Sequence, residues 1–259
     1  MTSSQPTSNR ELPVFKAFAH ILSGVSAHWR GALKPALPWL VMVALLNAWV
    51  LNAQLPSSTP QSGQNANWID LVVALLGLIA GSSIAVSWHQ FILRDVPLAS
   101  VQMFRLDRTV WRYLGRIFLI IAICFIPLLA LVIAVDFAPP LLMPIILALF
   151  IQLAVFGYRM SLTLPATAVN NTTFGMREAL EVTRGNNFRI LALLVVTILM
   201  ILAGLMSLLT IVGVLKMIHP AAAQLAVFIL GIPVVFLNTL VTSNLLTSLY
   251  GFFVERRDF

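Results

Sequence analysis

Residues 105–137 read RLDRTVWRYLGRIFLIIAICFIPLLALVIAVDF, and this stretch decides the fold class. Arg105, Arg108, Arg112 and Arg116 recur every three or four residues, after which no charge occurs until Asp136. A hydrocarbon core about 30 Å thick takes roughly 17 to 25 helical residues to cross. The run from Ile117 to Phe137 therefore reads as a transmembrane helix entered through a basic collar. Working outward, apolar runs of similar reach lie at about 37–53, 69–93, 141–164, 190–212 and 222–249, so the expectation is six spans. The first contains Asn47, the fourth Pro144 and Arg159, and the last is long enough to tilt or project into the interface.

Composition agrees. Of 259 residues, 59% are hydrophobic and 10% charged, and the mean hydropathy is +0.95. A soluble domain carries about a quarter charged residues, so this chain lacks the polar groups to cover a water-facing surface. The same figures exclude a disordered chain and a disulfide scaffold, since Cys124 is the single cysteine. The polar opening MTSSQPTSNRELP reads as a disordered arm over residues 1–12, with no cleaved signal peptide, ahead of one membrane domain at 13–259.

Charge then sets orientation. Of the 16 Lys and Arg residues all but Lys216, and of the nine acids all but Asp70 and Asp136, fall on one side of this layout. Cation-rich short loops stay cytoplasmic, so both termini are expected inside. The net charge of +7 is thus assigned to the membrane face, with anionic lipid as the expected partner and no nucleic acid. A second candidate partner is another membrane protein. The acceptor patterns at Asn170-Asn171-Thr172 and Asn171-Thr172-Thr173 would lie on that same inner side, away from any glycosylation machinery.

Three segments ahead of outgoing spans carry aromatic-Arg pairs, Trp29-Arg30, Trp111-Arg112 and Phe188-Arg189. They suggest three units, each an interfacial helix followed by a two-span hairpin. In the first, over 13–34, Val14, Phe18, Ile21, Val25, Trp29 and Leu33 share one face, with Lys16, His20, Ser23, Arg30 and Lys34 on the other. Such a helix is expected to lie flat with its apolar face among acyl chains, and to end at Pro35 and Pro38. The basic stripe at Arg105, Arg108, Arg112 and Arg116, with Lys16, Arg30, Lys34, Arg184 and Arg189, admits two readings. It recognises anionic lipid, a phosphorylated ligand or a partner, or it is a solvated face that enforces orientation.

The stretches YRMSLTLPATAV (158–169) and FGMREALEVTRGNNFRIL (174–191) carry a resemblance. Through Arg159, Pro165, Ala179, Leu180, Arg184, Gly185, Asn186 and Phe188 the chain resembles the membrane domain fused to some glycerophosphodiester phosphodiesterases, and its stand-alone bacterial relatives. That family's acidic residue shortly after the Pro is missing, and Asn170 and Asn171 stand nearby instead. The resemblance covers about thirty residues. It implies a multi-pass bacterial inner membrane protein of uncharacterised role and not a phosphodiesterase, because that chemistry belongs to a separate soluble domain.

Candidate chemistry is sparse. The four His residues, 20, 28, 89 and 219, are scattered without metal-ligand spacing, so neither metal nor cofactor is expected. No nucleophile elbow, zincin, phosphate-loop or dinucleotide motif occurs. The sequence therefore favours a noncatalytic scaffold or lipid-interacting accessory protein. The alternative is a transporter or flippase-like carrier, with Ser87, His89, Gln90, Tyr158, Arg159, Asn238 and Thr242 lining a polar cavity open to the cytoplasm. Arg159 is the pivot between these readings: it binds an anion inside the bundle, or its long stem carries the charge to the headgroups.

Overall fold

The structure, a computed structural model, describes residues 10–53, 64–97, 104–137 and 139–259. Most of the polar N-terminal arm, and the side chains of Asn47, Asp70 and Asp136, lie outside the described set. Among the described residues the fold is all-helical. The order is α1 (Val14–Ala53), α2 (Gln64–Arg94), α3 (Arg108–Phe137), a 3-10 turn (Pro140–Leu142), α4 (Met143–Met160), α5 (Thr163–Ala168), α6 (Met176–Val182), α7 (Asn187–Ile218) and α8 (Pro220–Phe253). Among the described residues five helical segments are long and apolar enough to cross a membrane: 71–94, 108–135, 143–168, 187–218 and 225–253.

Local chemistry explains several boundaries. Asp107 starts α3 as an N-cap, its Oδ1 accepting the Val110 N–H at 3.0 Å. Gly175 opens α6 with its N–H donated to Glu178 Oε2 at 2.9 Å. Gly185, at φ 82°, makes the turn from α6 to α7, a conformation that costs residues with a Cβ more. His219 turns α7 directly into α8, its Nδ1 accepting the Ala222 N–H at 3.3 Å, with Pro220 in the first turn, where a missing N–H is harmless.

The expected break after residue 34 does not occur. α1 is one helix of 40 residues that contains both Pro35 and Pro38. Each proline removes one hydrogen bond, but Ala32, Ala36, Trp39 and Leu40 around them are buried in the main core, so packing holds the helix together. The apolar stripe of its first half is also turned differently from expectation. Ile21 and Val25 are buried in the core and Val14, Phe18 and Leu33 pack against it, so the stripe faces protein more than lipid. Periodicity shows that a face is apolar and cannot say what covers it.

The three expected units also differ from one another. In the first, the basic segment and the span form one helix; in the second, Arg108, Arg112 and Arg116 occupy the opening turns of α3; in the third, α6 is separate from α7.

The core lies toward one end. Residues from Leu240 to Phe253 of α8 are nearly all buried, as are Ser82 to His89 of α2. Toward the opposite ends of the same helices Trp68, Leu71, Leu225 and Ile229 are exposed, as are most of α3 beyond Phe118 and much of α7. Apolar side chains facing lipid lose nothing by exposure, so only the close-packed end needs tight interdigitation. That end holds α5, α6, residues 95–97 and 104–107 between α2 and α3, and both described chain ends, and it carries most of the described cations; we call it the basic end.

Candidate functional site

At the basic end the last turns of α2 present Trp88, His89 and Gln90 in three directions. Trp88 Nε1 donates to Asn244 Oδ1 at 3.2 Å, and Asn244 Nδ2 donates to the Ile21 carbonyl at 2.8 Å. One amide thereby ties α1, α2 and α8. Gly24 makes the approach possible, since a Cβ there would lie 2.7 Å from Asn244 Nδ2.

His89 is fully buried between Thr247 Oγ1, 2.7 Å from Nδ1, and the Tyr113 hydroxyl, 3.2 Å from Nε2. Thr247 gives its own proton to the Ser243 carbonyl at 2.8 Å, so its oxygen accepts from His89. Nδ1 is then the donor, and Nε2 accepts the Tyr113 proton. Both ring nitrogens are engaged, bridging α3 and α8 through α2.

Gln90 Nε2 donates to the Ala168 carbonyl at 2.8 Å, and its Oε1 accepts from Arg105 at 2.7 Å. Arg105 also donates through Nε to Asp107 Oδ2 at 2.8 Å. Partial burial opposes the Asp107 charge, but the Arg105 hydrogen bond and charge and the Val110 and Thr109 N–H groups outweigh it. The carboxylate therefore titrates below its ordinary value. Of the four arginines in the stripe, Arg105 is thus committed internally.

Arg159 is committed as well. Its Nε donates to Thr183 Oγ1 at 2.7 Å, one terminal nitrogen to Asn187 Oδ1 at 3.0 Å, and the other to the Leu180 carbonyl. The guanidinium closes the end of α6 onto the start of α7, where helix carbonyls lack intrahelical donors. Next to it Asn186 accepts the Leu12 N–H at 2.9 Å and donates to the Arg10 carbonyl at 3.0 Å. Arg189 pairs with Glu11 at 2.7 Å, and Arg10 bonds the Phe252 and Arg257 carbonyls and pairs with Asp258. Arg159 and Asn186 thus build one corner, which binds the N-terminal segment to α7 and, through Arg10, to the end of α8 and the residues after it.

The proposed ligand set does not gather around one of the described cavities. Ser87 bonds the Ser83 carbonyl of its own helix, and Thr242 is exposed and bonds the Asn238 carbonyl. Tyr158 has a buried hydroxyl without a partner among the described residues. Asn238 stands in the wall of an apolar groove of about 950 Å³ between α1, α7 and α8, lined also by Trp29, Leu33, Leu40, Met200 and Phe236.

A second cavity, of about 390 Å³, opens between α3 and the segment after α5. Arg112, Gly115, Arg116 and Leu119 form one wall; Thr167, Asn170, Asn171 and Thr172 form the other. Arg116 is half-buried and Arg112 exposed, and neither has an acidic partner among the described residues. Asn170, at φ 56°, ends the turn after α5 in the left-handed conformation that asparagine tolerates better than most residues. Asn171 is positioned by its Nδ2, which donates to the Tyr250 hydroxyl at 2.8 Å. The Asn-Asn-Thr run has no sequence signal beyond its acceptor pattern, and its role as a cavity wall comes from the fold alone. The chain matches no family model, no curated protein and no solved structure.

Proposed function

We propose that the chain is a noncatalytic, six-span protein of a bacterial inner membrane, with both termini cytoplasmic, that serves as a scaffold or accessory protein holding anionic lipid at its basic end. The second half of α1 would supply the sixth crossing. One observation carries the reading. Lys16, Arg30, Lys34, Arg108, Arg112, Arg116 and Arg184 have no acidic partner among the described residues, and several stand just where exposed apolar helix begins. Each cation near an anionic leaflet contributes about 1 kcal/mol, enough for seven to enrich acidic lipid strongly. The noncatalytic part is supported by the buried polar groups. His89, Gln90, Asn244 and Arg159 are spent on side chains and backbone carbonyls of neighbouring helices, in the manner of structural fasteners. We extend the same proposal to kinship with the membrane domain of the glycerophosphodiester phosphodiesterases, whose shared residues would then mark the corner at Arg159 and Asn186.

The test is reconstitution into nanodiscs of mixed phosphatidylglycerol and phosphatidylcholine, followed by mass spectrometry of the lipid that stays with the protein. Enrichment of phosphatidylglycerol that weakens with salt is expected, and retained lipid of bulk composition would refute the reading. Orientation is checked with a cysteine at Thr173, in a background where Cys124 is Ser. An impermeant maleimide should label it only after the membrane is opened. The carrier reading draws its own support from the groove between α1, α7 and α8, which is of a size to take an amphiphile.

A further inference from the structure

We propose that the cleft between Arg112, Arg116 and the Asn170–Thr172 turn is a built binding site for one phosphate group, which rests on the lipid-holding reading above. Arg112 and Arg116 are four residues apart on α3, so their side chains leave the same face of the helix one turn apart. Two guanidinium groups at that spacing repel each other unless an anion lies between them. Each offers a planar fork of N–H donors that matches phosphate oxygens. The opposite wall supplies further donors, the Asn170 amide and the Thr172 hydroxyl, and no lining residue is acidic. Thr167 uses its proton on the Thr163 carbonyl, which leaves Asn170 and Thr172 as the groups to complete the cradle.

Two features distinguish this cleft from a diffuse basic surface. Gly115 lies between the arginines, and a Cβ built there meets nothing within 4 Å, so the floor is open by default of a side chain. Leu119 completes the wall and begins the exposed apolar face of α3 that continues through Phe118, Ile121, Phe125 and Ile126. A phosphate in the cleft would have hydrocarbon directly beside it. That geometry suits a phosphodiester or phosphomonoester headgroup whose acyl chains run along α3, while a free phosphorylated solute shares the same recognition chemistry.

Native mass spectrometry of the full-length protein, titrated with phosphatidylglycerol, phosphatidic acid or phosphatidylcholine, tests the lipid source. Calorimetry with inorganic phosphate, on protein in phosphatidylcholine nanodiscs, tests the soluble source. One lipid per chain with preference for the acidic headgroups supports the first, a phosphate isotherm of unit stoichiometry supports the second, and neither signal overturns the proposal. Arg112→Gln and Arg116→Gln should each weaken the bound phosphate about tenfold or more, the value of a charge-assisted hydrogen bond. Gly115→Leu keeps both charges, has room for its Cβ, and should block the cleft with the rest of its side chain to a similar degree. Lys216→Gln, in the last turn of α7 and outside the cleft lining, should leave the single site intact. If Gly115→Leu binds like the wild type, the attraction is diffuse and the cleft is not a site, although the broader lipid-holding reading survives. If the wild type itself shows no preference for acidic lipid over phosphatidylcholine, that broader reading fails instead.

Discussion

Replacing Arg159 with leucine separates the two roles that an intramembrane arginine can play. The substitution removes a side chain that bonds Thr183 Oγ1, Asn187 Oδ1 and the Leu180 carbonyl. Hydrogen bonds to a charged group contribute roughly 1.5–3 kcal/mol each, but these three share one donor group and are not additive. Thr183 is buried and would lose the donor to its oxygen, keeping only the bond its hydroxyl gives to the Ala179 carbonyl at 2.7 Å, whereas α6 is partly exposed and Leu180 half-buried. A net loss of about 2–4 kcal/mol, local to the corner, follows. Amide hydrogen exchange in nanodiscs reads this directly. The opening constant of the segment from Met176 to Asn187 should rise by roughly 30-fold to 1,000-fold, at 1.4 kcal/mol per factor of ten. The buried turns of α2 and α8 should be unchanged. Arg159→Lys should recover part of the protection, because an ammonium can still donate to the helix end. Unchanged exchange across α6 in the leucine variant, together with lost anion binding, would refute the structural role and restore the arginine as a ligand.

Two further outcomes follow from the same packing. Gly24→Ala should cost about 1–3 kcal/mol by pushing Asn244 off the Ile21 carbonyl, and far less in an Asn244→Ala background, where the space is vacated. Additive losses of thermal stability in the double variant would show that the Gly24–Asn244 contact does not matter. Asp107 has a folded pKa below its ordinary value, so its stabilising contribution is complete above that value and disappears as pH falls through the folded one. Wild type should therefore be more stable than Asp107→Asn at neutral pH, with the gap closing in acid below about pH 4; a gap of constant size from pH 7 to 3 would contradict this.

The sequence and the fold divide the corner at Arg159 between them in an instructive way. Arg159, Gly185 and Asn186 could be picked out as unusual in the sequence, because a charge late in an apolar run and a polar Gly-Asn turn need a reason. What they touch could not be read. The partners of Arg159 are 21 to 28 residues away, and those of Asn186 are 174 and 176 residues away. Likewise Asn244 could be recognised as needing a partner within an apolar helix. That the partners are Trp88 and the backbone at Ile21 depends on how α1 and α2 cross α8. The stripe of four arginines was regular in the sequence, yet only the fold separates Arg105, which is paired with Asp107 and Gln90, from Arg112 and Arg116, which face an open cleft.

The all-helical class, and the presence of several helices long and apolar enough to cross a membrane, were determined by the sequence alone. An apolar run of twenty residues has few options in hydrocarbon, and the backbone must satisfy itself locally. The clustering of cations at the flanks of the apolar runs is a local property of the same kind. The tertiary structure decided what periodicity leaves blank. Protein, not only lipid, covers the stripe of Ile21 and Val25; α1 persists through Pro35 and Pro38; and the candidate polar residues divide among fasteners, a groove and a cleft. The physical reason is that a bilayer fixes helices by transfer energy, which a one-dimensional count of apolar residues captures. Their rotation and pairing are fixed by close packing and interhelical hydrogen bonds, which arise only when distant turns meet.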